Sequence, residues 1–337
     1  MPQKVKKQHY VPQSYLNAWD CSGKHQVYVF DKKTSLKRIN NIRDIASEHY
    51  FYDINPDEVF SPQVMECLHQ SEPVLDCKND NQYAEQIFAQ KIEKPFSDLL
   101  NKMISNLSVL TPWFMKNCFF ISQEEKAEFS KCLAFQLVRT RQMRNGIMDS
   151  ADCLTQVLKD MGLPDSEINK YNISKEESKK IHLQMIFNPQ NIAEAALCFY
   201  NLTWMLGVNR TNSKFFTSDS PIGTRAHVKD PLFSMNGIGS KGVEAFFPIS
   251  PDAILLMVDG SYHKGFLPLE RRIVEITKKE NVDHYNSILA LRAERFVFSS
   301  TDDVMLLDEM ITSDPDVFKF PHKQMRWGEK VYYPSNN

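Results

Sequence analysis

The sequence predicts an α+β fold: a central helical layer packed on a mostly antiparallel sheet, within a single large domain. Three observations carry that expectation. Residues 80–107 and 122–160 run with few helix breakers and many good helix formers. From Gly207 onward the texture changes to short apolar runs separated by turn residues, as strands require. No internal repeat or low-complexity linker divides the 337 residues. One domain in three parts is therefore expected: an N-terminal helix and hairpin over 1–55, a helical part over 80–206 and a strand-rich part over 207–337.

Taken in order, Val11-Pro12-Gln13-Ser14-Tyr15-Leu16-Asn17-Ala18-Trp19 places proline where a first helical turn tolerates it, and Leu16 and Trp19 share a face. A short helix is expected there. Residues 26–30 alternate as a strand should, and a turn over 32–35 leads to a second strand over 36–39, which makes a hairpin able to join the later sheet. The second helical run opens on Ser122-Gln123-Glu124-Glu125, a capping-box pattern. Asn188-Pro189 opens a further helix over 189–206. Strands are expected over 214–217, 245–249, 253–258 and 296–298, with a helix at about 275–294 among them.

Composition narrows the function classes. Hydrophobic residues at 42% and charged residues at 24% exclude a disordered chain, and only 11 glycines argue against a glycine-dependent nucleotide fold. The formal charge of -2 gives no global basic field, but residues 1–50 carry nine Lys or Arg against four acids. Seven cysteines, an odd number without a CxxC pair, fit a reducing compartment, so a cytoplasmic location is expected. The basic start, Met1 to Lys7, is followed by no apolar core of a secretory signal. The longest apolar stretch, 195–208, is interrupted by Asn201 and Thr203 and falls short of the ~20 residues of a membrane helix, so no membrane partner is expected.

Several familiar motifs fail on context. Gly237-Ile238-Gly239-Ser240-Lys241-Gly242 matches GxGxxG but precedes a strand ended by Pro248, not a helix that could seat a pyrophosphate. It reads as a β-connection. Pro56-Asp57 followed by Asp76-Cys77-Lys78 imitates the carboxylate and lysine set of metal-dependent nucleases, yet Pro-Asp recurs at 164, 251 and 315. Cys67, His69 and Cys77 lack the paired spacing of a structural zinc site, and none is expected.

Polar residues on apolar faces are more informative. Phe129, Leu133, Gln136, Arg139 and Met143 follow helical steps, so Gln136 and Arg139 border a core-facing stripe. Residues 131–144 hold Lys131, Arg139, Arg141 and Arg144 with no acid, a set able to hold a phosphate or carboxylate, or else to pair with buried acids. Glu93 falls in line with Ala89, Phe96 and Leu100, with Glu85 eight residues earlier on the same side. Acid, base and anion clamp in one pocket, or a structural Glu93–Arg139 salt bridge, are both open readings. Asp219, in Thr217-Ser218-Asp219-Ser220-Pro221, would end a strand and serve either chemistry or a local turn. His9 suits proton transfer near neutral pH, or with Tyr10 anchors the terminus.

Together, His9 to Trp19, Thr217-Ser218-Asp219-Ser220-Pro221 and Phe247-Pro248-Ile249-Ser250-Pro251 resemble the bacterial family catalogued as domain of unknown function 4238. Phe51-Tyr52, Gln136 with Arg139-Thr140, Asn286 and Phe296-Val297-Phe298 follow in the family's order, and the resemblance covers most of the chain. Trp19 replaces the usual phenylalanine, and Arg141 stands where the family often has proline. The resemblance implies an association with anti-phage defence and no particular reaction. The functional expectation is a defence effector acting on nucleic acid, most concretely a nuclease. His9 is assigned to proton transfer, Arg139 and Gln136 to the scissile phosphate, and Glu93 with Asp219 to a divalent metal, Mg or Mn, or a second proton transfer. Tyr10, Gln13, Arg141, Ser218 and Asn286 complete the substrate-binding set, and a phage protein is the expected trigger. The alternatives are a non-catalytic binding or sensor protein and an enzyme acting on a free nucleotide. The His9 motif, the Arg139 helix and the Asp219 turn are expected to meet at one concave site.

Overall fold

Tyr15, Trp19, Phe96, Phe129, Trp204 and Phe247, drawn from all three parts of the chain, pack ring on ring in one apolar core, which requires those parts to fold together. The structure, a computed structural model, describes residues 5–55, 58–60, 82, 85, 87–88, 92–107, 111–228, 236–318 and 325–335.

Strand β1 (Lys7–His9) leads into the short helix α1 (Gln13–Leu16), continued by a 3-10 turn at Asn17–Trp19. The hairpin follows as β2 (Gln26–Asp31) and β3 (Leu36–Asn41), with Tyr28 opposite Ile39, and β4 (Ser47–His49) returns to pair with β1. The helical layer comprises α2 (Glu93–Leu107), α3 (Pro112–Asn117), α4 (Gln123–Val138), α5 (Arg141–Asp160), α6 (Asp165–Ile168), α7 (Lys175–Phe187) and α8 (Pro189–Asn201). Ser122 and Glu125 form the expected reciprocal capping box of α4.

The run expected as one helix over 122–160 is two. Thr140 takes an extended conformation, φ -74° and ψ 156°, and its hydroxyl accepts the Met143 N–H as the cap of α5. A threonine hydroxyl satisfies an N–H that would otherwise lack a partner, which lets the chain turn without losing that hydrogen bond. Arg139 consequently ends α4 instead of lying mid-helix.

The helix expected over 189–206 stops at Asn201, and β5 (Thr203–Asn209) begins with every residue buried. A run buried on both faces has no amphipathic period, so periodicity does not separate it from the preceding helix. Then come β6 (Thr217–Ser218), β7 (Gly223–Ala226), β8 (Val243–Ser250), β9 (Ala253–Val258) and β10 (Arg272–Ile276), followed by α9 (Lys279–Arg292), β11 (Phe296–Ser299), α10 (Met305–Ser313), β12 (Met325–Trp327) and β13 (Lys330–Tyr332). The helix expected from 275 starts at Lys279 because 272–276 pair in parallel with β5.

The fold is α+β with mostly antiparallel pairing, in two main sheets instead of one. Five strands order as β10-β5-β9-β8-β7, and the N-terminal hairpin joins the far end of the chain in β3-β2-β11-β6. Gly207 sits where β5 is gripped by its neighbours, since an added Cβ would come within 2.7 Å of the Ile276 side chain. The glycine-rich 237–242 run forms turns that lead into β8, the β-connection expected of it. Asp57, Cys67, His69 and the 76–78 run lie outside the described residues. Among those described, no group of three or more His, Cys, Asp or Glu could hold a metal, and no helix is long and apolar enough to cross a membrane.

Candidate functional site

The N-terminal motif is a pin between the two sheets and the helices. Gln8 is fully buried; its Oε1 accepts the Tyr52 N–H at 2.6 Å and its amide donates to Asp53. The Tyr15 hydroxyl donates to the Pro248 carbonyl at 2.7 Å and lies 2.6 Å from Thr217 Oγ1, while Trp19 Nε1 donates to the Phe215 carbonyl at 3.0 Å. Each of these polar groups is buried and would cost free energy without its partner, so the motif defines positions more than 190 residues away, as the separations of 196 to 233 residues show.

The end of α4 closes on the same motif. Gln136 Nε2 donates to the Tyr10 carbonyl at 3.1 Å, and the Arg139 guanidinium donates to the His9 carbonyl at 2.5 Å and to Glu93 at 2.9 Å. Tyr52 returns a hydrogen bond to the Arg139 carbonyl at 2.8 Å, and the guanidinium lies 4.7 Å from the centre of the Phe88 ring. Burial opposes the Arg139 charge, but Tyr52 and Glu93 more than offset it and hold the pKa above its ordinary value.

Among the described residues, two polar atoms beside this ion pair make no hydrogen bond of normal geometry, although the Arg43 backbone lies near one of them. His9 Nε2 and Glu85 Oε2 are both buried, and His9 Nδ1 is 3.5 Å from the Gln13 amide. Burial lowers the His9 pKa against the pull of Glu93, so its imidazole is neutral at pH 7. Burial pushes the Glu85 carboxyl up to about 7; Glu93 and Asp53 add to the rise, and Arg139 opposes it. An acid poised near neutrality and a neutral base thus flank one buried guanidinium.

Asp219 belongs to a second cluster, within electrostatic reach of Tyr10. Its carboxylate accepts the N–H groups of Glu294 and Arg295, each at 2.8 Å, and of Phe296 at 2.9 Å, so it ties the 217–221 turn to the start of β11. Complete burial pushes it up to about 6 despite these donors and Lys32, while burial brings Lys32 down to about 8. The Tyr10 phenol is pushed well up by burial and by Asp219, with Arg141 opposing. Asn286 is held at both ends: Oδ1 accepts the Phe216 N–H at 2.8 Å and Nδ2 donates to the Lys214 carbonyl at 2.9 Å. Ser218 Oγ accepts the Ser220 N–H at 3.1 Å, a local turn contact. The structure therefore joins His9, Glu93 and Arg139 directly, ties Gln136 to Tyr10, and brings Asp219 within electrostatic reach of Tyr10, with Asn286 and Ser218 serving the strand beyond.

The four cations of 131–144 do not form one surface. Lys131 pairs with Glu128 at 3.2 Å, Arg139 is buried, and Arg141 meets Glu48 at 3.0 Å. Arg144 stacks on Phe51 at 3.5 Å and donates to the Phe51 carbonyl at 2.8 Å and to His182 Nδ1 at 3.2 Å. The break at Thr140 turns these side chains to different neighbours. Sequence reasoning missed Gln8, Lys32 and His182, whose buried placement leaves no mark in local pattern.

His182 yields a pH prediction. Burial, with Arg144 adding to it, lowers its pKa to about 3, and Nε2 donates to the Val138 carbonyl at 2.7 Å. A folded-state pKa below the unfolded 6.5 means that stability is complete above 6.5 and is lost as pH falls toward 3. Each pH unit in that window costs about 1.4 kcal/mol from this group alone. Replacing His182 with Gln, which keeps a donor, is expected to flatten acid unfolding there; a wild-type-like urea midpoint profile from pH 6 to pH 4 in the variant would overturn the assignment.

Fold and site together define an α+β protein in which an N-terminal motif pins two sheets and a helical layer through buried hydrogen bonds and borders the Arg139–Glu93 ion pair. The chain belongs to the family described as Protein of unknown function (DUF4238), whose pattern matches residues 7–303. That span contains His9, Glu85, Glu93, Arg139 and Asp219. No curated protein and no solved structure matches the chain.

Proposed function

We propose that the protein hydrolyses phosphodiester bonds in nucleic acid, with His9 and Glu85 as the proton-transfer pair. The observation that carries this reading is that His9 Nε2 and Glu85 Oε2, both buried beside one Arg139–Glu93 ion pair, make no hydrogen bond of normal geometry among the described residues. A neutral imidazole takes a proton from the attacking oxygen, and a carboxylic acid of pKa about 7 returns one to the leaving oxygen. Arg139 is a positioning residue, since its donors hold the His9 carbonyl and Glu93. Of the Lys and Arg in residues 1–50, Lys7, Lys37, Arg38 and Arg43 pair with carboxylates and Lys32 is buried, so Lys6, Lys24 and Lys33 are the exposed cations left there among the described residues to attract a polyanion. In the cell this activity would serve defence against phage, with a phage protein as trigger.

Full-length protein incubated with RNA, DNA and nucleotides, with and without Mg²⁺ or Mn²⁺, tests the reading. Cleavage is expected, falling above pH about 7 as Glu85 loses its proton. Loss of at least 100-fold is expected in His9→Ala and Glu85→Gln, the scale of one proton-transfer group. Because the folded-state pKa of Glu85 is raised from 4.5, its contribution to stability is present below 4.5 and is lost as pH rises through about 7. Glu85→Gln should therefore be more stable than wild type at pH 8, by on the order of 2 kcal/mol. Turnover indifferent to both substitutions, or none on any substrate, would sink the proposal.

A second reading, a non-catalytic binding or sensor protein, is favoured by Asp219, Asn286, Gln136 and Arg139 all being committed to contacts within the fold. Binding of nucleic acid without turnover would select it.

A further inference from the structure

On the far edge of the five-stranded sheet, β7 and the residues after it, β8, α9 and the turn after β9 bring a second set of ionisable and aromatic side chains together. Arg225 faces Glu244 across the β7–β8 ladder, and His227, two residues on, points to the same side. The Glu244 carboxylate accepts from the Tyr285 hydroxyl and from His227 Nε2, each at 2.7 Å. Arg225 donates to His284 Nε2 at 2.8 Å, and burial with Arg225 beside it keeps that imidazole below its ordinary pKa, hence an acceptor. The His227 ring meets His263 edge to face at 4.7 Å, and His263 meets Tyr262 at 4.8 Å and Phe266 at 6.1 Å.

Three features of this row are only partly used by the fold. His263 Nε2 is buried without a hydrogen-bond partner. Tyr262 and Phe266 are 46% and 41% exposed, although an aromatic side chain on the surface leaves a large apolar area in water. Arg225 is exposed, and its one hydrogen bond is to the neutral His284; Glu244 lies across the ladder from it, but no carboxylate forms an ion pair with it among the described residues. Flat rings for stacking, an imidazole nitrogen without a hydrogen bond and an exposed guanidinium outside any ion pair among the described residues match a ligand with a planar polar ring and an anionic group.

We infer that this edge is a second site, separate from the His9 centre, that binds a nucleobase-bearing phosphate. The base stacks on Tyr262 and Phe266 and takes a hydrogen bond from or to His263, while Arg225 holds the phosphate. Glu244, anchored by Tyr285, fixes the His227 ring against His263 and so sets the floor of the row. The same chemistry is presented by a free nucleotide and by a single strand.

The test uses the full chain at low salt, with fluorescein-labelled poly-dT and poly-rU 15-mers in one arm and AMP, GMP, CMP and UMP as competitors in the other. Saturable binding is expected. Tyr262→Ala and Arg225→Ala should each weaken it roughly ten-fold or more, the effect of losing one stacked base or one phosphate contact. Trp327→Ala, which removes a different exposed aromatic, should leave it unchanged. Competition by a mononucleotide at concentrations near the strand's own Kd identifies the free nucleotide as ligand; competition only at far higher concentrations identifies the strand. Thermal midpoints control for folding, and Phe266→Ala supplies a second exposed variant. Absence of binding in both arms, or wild-type affinity in the stacking and arginine variants, overturns the inference. Because the assay reads affinity and not cleavage, either outcome leaves the His9 reaction to be judged by turnover.

Discussion

Arg139→Ala is expected to lower the unfolding free energy by about 3 kcal/mol and to reduce soluble yield. The substitution removes the donor to the His9 carbonyl, the partner of Glu93 and the cation over the Phe88 ring, all at a fully buried position. Breaking a buried pair from one side costs about 3–5 kcal/mol because the remaining charge is left uncompensated. The lower end applies here, since the Glu93 side chain is 31% exposed and water can reach it. Arg139→Lys should recover less than half of the loss, because one ammonium cannot replace a planar fork that serves two acceptors. Urea unfolding of the three proteins checks this. A variant of wild-type stability with function abolished would instead place a ligand on the guanidinium and revive its expected role at a phosphate.

Asp219→Ala should cost more, about 4 kcal/mol. The fully buried carboxylate satisfies three successive N–H groups, those of Glu294, Arg295 and Phe296, and no neighbour can take them over without moving the start of β11. Each N–H left without an acceptor costs about 1–3 kcal/mol, and the part-buried ones fall at the low end because water can substitute. Lys32 would also lose the nearby carboxylate that raises its pKa. Asp219→Asn should rescue poorly, since an NH₂ group would then face backbone donors. Loss of this order threatens a protein whose total stability is about 5–15 kcal/mol. A change below 1 kcal/mol in urea unfolding would show that the β11 end holds without the knot.

Comparison of the two residues explains why a catalytic role was read so readily from the sequence. Asp219 and Arg139 are charged residues inside apolar surroundings, which active sites and structural knots both require. The Asp219 carboxylate is spent on backbone N–H groups and the Arg139 guanidinium on the His9 carbonyl and Glu93, so both are committed to partners within the fold. Glu85 and His9 differ because one buried atom on each makes no hydrogen bond of normal geometry among the described residues, although the Arg43 backbone lies near the His9 ring.

What the sequence determined by itself is what depends on neighbours a few residues away. The capping box of Ser122, the hairpin of β2 and β3, the short helix after Pro12 and the strands of β8 and β9 were all legible, because caps, turns and side-chain alternation are local. The ordered motifs carried the family. The tertiary structure alone decided that Thr203 begins a strand, that the hairpin joins β11 in a sheet of its own and that Arg139 closes on Glu93 and the His9 carbonyl. It also decided which acid is held near neutrality: Glu85 looks like any helical glutamate until burial raises its pKa to about 7. Strand pairing, partner choice and protonation depend on groups brought together from positions up to 233 residues apart, as at Tyr15 and Pro248, and on the exclusion of water around them, neither of which is a property of any short stretch of chain.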